Sequence, residues 1–402
     1  MLMAKGIPFA TDVKSLNKAI ASGAKEIALV PATDDIFYMN EPVTLKGVTL
    51  YSSNKTNIPQ CKPMSVMLSD ALTVDGGTLR NLDFTTDSYG TDITISGNTT
   101  LKDVSIIRKS WNPKITINGG KTTFENVKLN YYSASVNNAE VVAKGTIDFE
   151  GMNEIRVSDN SSVTIHGKAI FPRIADFRAS TLNIMKTGSL FAHSLSISRI
   201  STMIANGPVN LTVAPGFSNF YAFEVTYKSK AYLNANNNTF NVSSDSCSTV
   251  IESSGLLEIN GTTSISMNIA NVTPKRPYKV LQGGATINAP VTVTGLRMDR
   301  NNGAPESYDM LFNNIYGDNI VNNTVTSNSG SVDLEDTKIL KSNAYIRGIK
   351  DISYGSGWGI AYEKGARIEV NGVCKKAVSS GTYKGSAVKH SKSPPSFLTG
   401  PC

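Results

Sequence analysis

Three stretches in the first third of the chain decide its fold: TLRNLDF at Thr78–Phe84, TLKDVSI at Thr100–Ile106 and TFENVKL at Thr123–Leu129. They recur with a period of about 22 residues, and a glycine-bearing turn (DGG, SGN or NGG) precedes each of them. A short strand pattern stands before each turn, so that one repeat holds two alternating strands and one polar turn. A repeat of this length is too short for a propeller blade and has no helix, and it fits one coil of a parallel β-solenoid.

Apolar and polar residues alternate within each run, so each run offers one apolar face to a core. One coil cannot bury that face alone, whereas coils stacked about 4.8 Å apart pair every strand and build one long core. The same position of the repeat holds Asn81, Asp103 and Asn126. We expect these side chains to form a hydrogen-bonded ladder at a corner of the stack, which is a structural feature.

Composition and charge narrow the choice of partner. Charged residues make up only 18% of the chain, which fits a β protein with small polar side chains on its outer faces. The net charge of +7 favours acidic partners, but the basic residues are dispersed and no nucleic-acid-binding module is recognisable. We therefore expect an acidic polysaccharide rather than nucleic acid, and a charge that serves solubility alone is the alternative.

The cysteines and histidines give no metal-binding pattern. None of the four cysteines forms a CxxC pair and the chain has three histidines, so we expect neither a structural metal nor a cofactor. Cys374 and Cys402 could close a C-terminal loop, which the sequence leaves open. We also expect no membrane span and no classical signal peptide, because the sequence has neither an apolar run long enough to cross a bilayer nor an apolar h-region. A virion or extracellular location is expected, and a bacterial secreted or cell-surface protein is the alternative.

Changes in the repeat pattern divide the chain into four predicted parts. The first is a capping segment whose helix lies in FATDVKSLNKAIASGA and begins at Thr11 or Asp12. The four predicted parts are the capping segment at residues 1–40, a parallel β-helix at 41–333, a C-terminal β region or cap at 334–388 and a flexible tail at 389–402.

A capping helix, the strand EIALVPAT, the stretch VTLKGVTLYS and then coils of about 22 residues follow one another along the chain. This order resembles the right-handed parallel β-helix proteins of the pectate-lyase-like and phage tailspike depolymerase type, from residue 9 to about residue 330. We therefore expect an all-β, right-handed, single-stranded parallel β-helix with an N-terminal capping helix and a distinct C-terminal β region. The resemblance also implies a polysaccharide bound or cleaved along a lateral groove and, for tailspikes, a homotrimer.

The densest set of groups suited to β-elimination lies between residues 166 and 199. Elimination from a uronic acid sugar needs a base for the C5 proton and cations beside the developing carboxylate dianion. His166 and His193 end strand patterns that are separated by one coil plus a loop, and Asp176 can orient an arginine, so these three are predicted as catalytic. Substrate binding is predicted for three cations and one indole, Arg173, Arg178, Arg199 and Trp111. The alternative is that these side chains are merely solvated at turns.

Hydrolysis needs instead two carboxyl groups about 5 to 9 Å apart. Asp83 with Asp103, and Glu154 with Asp176, come nearest to a spacing of one coil. We expect the chain to recognise and depolymerise an anionic bacterial surface polysaccharide, with elimination favoured over hydrolysis. A non-catalytic adhesin or structural solenoid that binds surface glycans or proteins is the competing hypothesis.

Overall fold

The protein forms two compact units, a first unit of Met1–Leu190 and a second unit of Phe191–Cys402, in a computed structural model. The structure describes residues 6–31, 34–52, 63–86, 91–109, 112–217, 220–269, 277–297, 309–313, 317–334, 338–355 and 359–402. The chain is nearly all β, and its strands stack as parallel coils into a β-solenoid of about 14 turns with about 22 residues per turn. The predicted fold class is thereby confirmed.

The first unit contains one helix, α1 (Val13–Ala21), and its strands begin at residue 9. In chain order they are β1 (Phe9–Ala10), β2 (Glu26–Leu29), β3 (Ile36–Met39), β4 (Val43–Ser52), β5 (Met64–Leu68), β6 (Leu72–Thr86), β7 (Ile93–Arg108), β8 (Lys114–Asn118), β9 (Lys121–Asn130), β10 (Ser133–Asn137), β11 (Glu140–Asp148), β12 (Glu154–Ser158), β13 (Ser162–Ile165), β14 (Lys168–Ile170), β15 (Ile174–Arg178), β16 (Thr181–Ile184) and β17 (Ser189–Ala192), the last of which ends in the second unit.

The helix sits where the sequence predicts it. Asp12 caps α1 by accepting a hydrogen bond from the Ser15 amide at 2.7 Å, and Ser15 accepts one in return from the Asp12 amide. Its buried stripe is Val13, Leu16 and Ala19. The capping helix therefore begins at one of the two predicted residues.

Parallel pairing aligns apolar residues of successive coils of the first unit in three columns. Because side chains alternate in direction along a strand, every second residue enters the core, and burying each Leu, Ile or Phe stabilises the fold by about 1.5–3 kcal/mol. The aligned core residues are Val43, Leu72, Ile93, Ile115, Ala134, Ile155 and Ala175 in the first column, Leu50, Leu79, Leu101, Phe124, Ala143, Ile165 and Ile184 in the second, and Met64, Leu82, Val104, Val127, Ile147 and Ala169 in the third.

The predicted polar ladder marks a corner between the second and third columns. Asn81, Asp103 and Asn126 all have left-handed backbone, with φ of 54°, 51° and 53°. Asn and Asp tolerate this conformation better than most residues, and it turns the chain sharply. Asn126 Nδ2 donates to Asp103 Oδ1 at 3.1 Å, which confirms the ladder at these two coils.

The second unit continues with strands after β17. In chain order they are β18 (Ser194–Ser198), β19 (Thr202–Ala205), β20 (Val209–Val213), β21 (Tyr221–Val225), β22 (Lys230–Leu233), β23 (Asn238–Val242), β24 (Thr249–Ser253), β25 (Leu256–Ile259), β26 (Thr263–Met267), β27 (Lys279–Gly283), β28 (Thr286–Ile287), β29 (Val291–Thr294), β30 (Met310–Asn313), β31 (Asn319–Val321), β32 (Thr324–Ser327), β33 (Ser331–Leu334), β34 (Lys338–Leu340), β35 (Tyr345–Ile349), β36 (Asp351–Tyr354), β37 (Ile360–Tyr362), β38 (Arg367–Val370), β39 (Val373–Lys376), β40 (Gly381–Tyr383), β41 (Lys389–Ser391) and β42 (Gly400–Pro401).

In the second unit, as in the first, parallel pairing aligns the buried residues of successive coils. One column aligns Leu195, Phe223, Ile251, Leu281, Phe312, Val332 and Ile352, all of them buried. A ladder of side-chain amides runs along one corner, where each Nδ2 donates to the Oδ1 of the preceding coil. Its members are Asn206, Asn234, Asn260, Asn288 and Asn322.

The C-terminal end of the second unit differs from the predicted boundaries. Parallel pairing continues beyond residue 334 to β38, so the solenoid extends to residue 370. The three strands of the last coil, β36, β37 and β38, then pair antiparallel with β41, β40 and β39. Residues 389–402 are therefore not a free tail: they contribute β41 and β42, and a disulfide joins Cys374 to Cys402. The antiparallel strands satisfy backbone groups that a bare solenoid end would leave open.

Candidate functional site

One outward-facing row of side chains in the second unit carries the strongest constellation of chemical groups. Register pairing aligns the members of this row on five successive coils. They are Ser196, Glu224, Glu252, Gln282 and Asn313. Two of the five are glutamates, and they lie on adjacent strands, β21 and β24.

Alternation along the strands turns both glutamates away from the core. Glu224 stands between the buried Phe223 and Val225, and Glu252 stands between the buried Ile251 and Ser253. Neighbouring strands lie about 4.8 Å apart, so two carboxyl groups in register can approach to about 5 Å. The pairing of two adjacent coils therefore places these two glutamates next to each other.

The surroundings give the two glutamates different environments. Burial and the neighbouring charge of Glu224 raise the pKa of Glu252, and Lys279 opposes this shift. Glu224 accepts a hydrogen bond from Ser196 Oγ at 2.6 Å. Glu252 is thus shifted towards its protonated form, whereas Glu224 accepts a hydrogen bond from a neighbouring hydroxyl.

Two more titratable groups border the pair. Burial, with the charges of Glu224 and Glu252, raises the pKa of the Tyr221 hydroxyl to about 12. Burial lowers the pKa of Lys279, against the opposing effect of Glu252, and its Nζ donates to Gln282 Oε1 at 3.2 Å. Perturbed titratable groups collected on one face are typical of functional sites. We name the set Tyr221, Glu224, Glu252 and Lys279 the glutamate-pair site.

Sequence reasoning missed this site because it searched for carboxylates at the spacing of one regular coil. Glu224 and Glu252 are farther apart than that in the sequence, since the turns between their strands lengthen the coil that joins them. A usable signal was nevertheless present: both glutamates stand inside apolar strands, YAFEV and TVIES. A charge in such a context is half-buried and costly, which favours a functional role.

Among the residues predicted from sequence, Asp176 and Arg178 are brought together. Arg178 Nη2 lies 2.6 Å from Asp176 Oδ2, and Arg156, the register partner of Asp176, places its Nε 3.7 Å from the same oxygen. Arg156 also pairs with Glu154 at 2.6 Å. The predicted carboxylate pair Glu154 and Asp176 is thus bridged by the Arg156 guanidinium.

The two predicted histidines have different surroundings. His166 is exposed and follows β13, which pairs with β11 and β16, whereas Asp176 lies on β15 in a different column of the first unit. His193 belongs to the second unit, where its Nδ1 lies 2.6 Å from the Thr212 carbonyl oxygen and its ring stacks on Phe217 at 4.6 Å.

The remaining predicted binding residues are scattered along the chain. Arg173 lies just before β15 in the first unit, and Arg199 occupies an exposed turn after β18 in the second unit. Trp111 lies outside the described residues. The predicted substrate-binding set is therefore divided between the units.

A groove of about 370 Å³ in the first unit contains the other predicted carboxylate pair, Asp83 and Asp103, together with Asp148. Two of these carboxylates have local partners: Asp83 accepts from Ser105 Oγ at 2.5 Å, and Asp148 pairs with Lys128 at 3.4 Å. Asp103 belongs to the corner ladder. Each of these three carboxylates thus has a partner on a neighbouring coil, which is a structural role.

Within the described ranges, no group of three or more His, Cys, Asp and Glu residues could hold a metal ion. The described part of the chain also has no helix with the length and apolar character needed to cross a membrane. Comparison of the chain with protein-family models, with curated proteins and with solved structures finds no match.

Proposed function

We propose that this β-solenoid binds a bacterial surface polysaccharide and cleaves it by hydrolysis at the glutamate-pair site. The observation that carries the proposal is the register alignment of Glu224 with Glu252 on the outer face of adjacent strands. Carboxyl groups on register neighbours can approach to about 5 Å, which is the separation in glycoside hydrolases that retain the anomeric configuration. Cleavage is therefore proposed to proceed through a covalent glycosyl-enzyme intermediate.

The different environments of the two glutamates divide the roles. Glu252, whose pKa is raised, donates its proton to the glycosidic oxygen as that bond breaks. Glu224 attacks the anomeric carbon and forms the glycosyl ester. The Glu252 carboxylate then takes a proton from water, the water oxygen displaces Glu224 from the anomeric carbon, and both groups return to their initial states.

Hydrolysis is preferred over elimination on electrostatic grounds. Elimination requires cations around the carboxylate of the reacting uronate, whereas the glutamate-pair site offers two carboxyl groups there and one lysine whose pKa is lowered.

The net charge of +7 supports an anionic polymer as substrate. The resemblance to phage tailspike depolymerases contributes the rest of the proposal: a homotrimer, and a location on a virion or outside the cell. The disulfide Cys374–Cys402 supports an oxidising location, since such bonds are rare in the reducing cytosol. Sedimentation equilibrium on the purified chain tests the trimer, and a mass of one chain would remove that part of the proposal.

The catalytic proposal is tested with Glu224→Gln and Glu252→Gln on a panel of bacterial capsular polysaccharides, with release of reducing ends as the readout. Glu258→Gln, a half-exposed glutamate on β25, is the matched control. We expect the wild type and the control to shorten one polymer and the two site variants to lose roughly 100-fold or more in rate. The first product should keep the anomeric configuration of the substrate in NMR spectra.

Other outcomes identify the competing functions. Ultraviolet absorbance of an unsaturated uronate in the product would establish elimination. Binding of a polymer by the wild type without shortening of that polymer would establish the non-catalytic adhesin. Full activity in both glutamine variants would exclude the glutamate-pair site.

A further inference from the structure

An exposed corner of the second unit adjoins the glutamate-pair site. Strand β21, which carries Glu224, ends at Val225 and is followed by a turn through Tyr227 and Lys228. On the adjacent coil, β18 is followed by a turn through Arg199 and Ile200. The Ile200 amide donates to the Tyr227 carbonyl oxygen at 3.0 Å, so that the two turns are stacked. We name these four residues the basic corner.

The side chains of the basic corner are accessible to a ligand. Tyr227 is 75% exposed and Ile200 is 74% exposed. Within the ranges that the structure describes, neither Arg199 nor Lys228 takes part in an ion pair. An exposed aromatic ring therefore stands beside two cations that no described carboxylate neutralises.

The backbone of the basic corner is unusual for these residue types. All four residues have positive φ: 54° for Arg199, 68° for Ile200, 52° for Tyr227 and 58° for Lys228. Elsewhere in the described chain, non-glycine residues with this backbone are Asn or Asp, apart from Ala179. A β-branched or bulky side chain with this backbone is destabilising, because its Cβ comes too close to the following carbonyl oxygen. A turn that served the fold alone would take Asn or Gly, so the side chains themselves require an explanation.

The position of the corner relates it to the proposed reaction. Tyr227 is three residues beyond Glu224, so the two Cα atoms are at most roughly 10 Å apart, which is the span of three residues of extended chain. A sugar bound there would belong to the same polymer as the reacting ring but would lie beyond it. Arginine holds a carboxylate through two parallel hydrogen bonds, lysine adds a point charge, and an aromatic face accepts the apolar side of a sugar ring.

We infer that the basic corner is a subsite for a carboxylated sugar next to the glutamate-pair site. The inference rests on the proposed function for its place along the glycan, and it names the class of substrate as a polymer that carries acidic residues beside the cleaved bond. An acidic sugar would be repelled by the carboxyl groups of Glu224 and Glu252. The subsite avoids this repulsion, because the acidic group binds to cations away from the two glutamates.

Affinity gel electrophoresis tests the subsite without requiring cleavage. The probes are alginate, polygalacturonate, hyaluronate and polysialate, each compared with its carboxyl-reduced form. The test variant is Arg199→Asn with Lys228→Asn, because Asn tolerates the left-handed backbone and should leave the turn folded. The control, Lys46→Gln with Lys144→Gln, removes the same charge from exposed strand positions of the first unit. Melting temperatures establish that both variants are folded.

We expect at least one acidic polymer to retard the wild type and the control, and its carboxyl-reduced form to retard neither. The Asn variant should bind that polymer roughly fivefold more weakly than the wild type does. Retardation that survives carboxyl reduction, retardation that the Asn variant retains in full, or no retardation by any of the four polymers would overturn the inference. Loss of cleavage with this binding pattern intact would contradict only the proposed hydrolysis.

Discussion

Lys279 lies on β27, the strand that pairs with the Glu252 strand β24, and each group influences the protonation of the other. Burial raises the pKa of Glu252, and the charge of Lys279 lowers it in part. Burial lowers the pKa of Lys279, and the charge of Glu252 raises it in part. Both groups are thus moved towards their neutral forms, which is an environment for proton transfer rather than for a simple surface ion pair.

The raised pKa of Glu252 makes stability depend on pH. Because this pKa is above the ordinary value of 4.5, the associated stability is fully present below that value and is lost as the pH rises through the folded-state pKa. Gln keeps the shape and cannot ionise. We expect the melting temperature of Glu252→Gln relative to the wild type to be higher at about pH 7 than at about pH 4. A difference that stays constant over this range, measured by calorimetry, would contradict the shift.

Removing the disulfide should loosen the C-terminal end of the second unit. Cys374 and Cys402 are 28 residues apart, and closing a loop of this length is worth about 3–4 kcal/mol. Cys402→Ser should therefore lower the melting temperature, and a reductant should lower that of the wild type to the same value. The reductant should have no further effect on Cys402→Ser, and a wild-type melting temperature that ignores reductant would refute the prediction.

Cys247 should be inert in the folded chain. Its thiol is buried, and burial raises its pKa to about 12, so little thiolate exists at neutral pH. We expect iodoacetamide to leave the Cys247 peptide unmodified in the native protein and to alkylate it after denaturation, as read by mass spectrometry. Alkylation of this peptide at equal rates in both states would show that the site opens readily.

Two glycines of the second unit allow the steric cost of an added Cβ to be measured separately from the cost of a positive φ. Gly348 and Gly372 have similar φ, 79° and 77°. A Cβ at Gly348 would clash with the Ser327 carbonyl oxygen, whereas at Gly372 it would meet nothing within 4 Å. We expect Gly372→Ala to cost about 1–2 kcal/mol and Gly348→Ala to cost more than about 4 kcal/mol or to prevent folding. Equal melting temperatures for the two variants would mean that neighbouring coils separate easily.

Local patterns predicted most of the architecture. The helix cap at Asp12, the coil of about 22 residues and the polar corner at Asp103 and Asn126 all depend on residues close in sequence or on a regular repeat. The C-terminal end was harder to predict because its aromatic residues hide the repeat. Tyr354, Tyr362, Tyr383 and Phe397 pack together there, so that β40 and the following segment cover the last coil instead of leaving it.

At the candidate site, the number of residues between two side chains does not predict whether they are neighbours in space. His166 and Asp176 are close in the sequence but belong to different columns of the first unit, because the chain turns a corner between their strands. Glu224 and Glu252 are separated by more than one regular coil of sequence and are direct neighbours. Proximity in a solenoid follows the pairing of strands and not the number of intervening residues.

The sequence by itself determined that this protein is a β-solenoid, because the alternation of apolar and polar residues and the repeated turns are local properties that any stacking of the coils must respect. Only the tertiary structure decided which outward side chains meet. The turns between strands differ in length from coil to coil, so the number of intervening residues does not fix which side chains become neighbours. The register of the parallel strands fixes this instead, and it depends on their hydrogen bonds and on the close packing of the core. This register aligns Glu224 with Glu252 and stacks Ile200 on Tyr227.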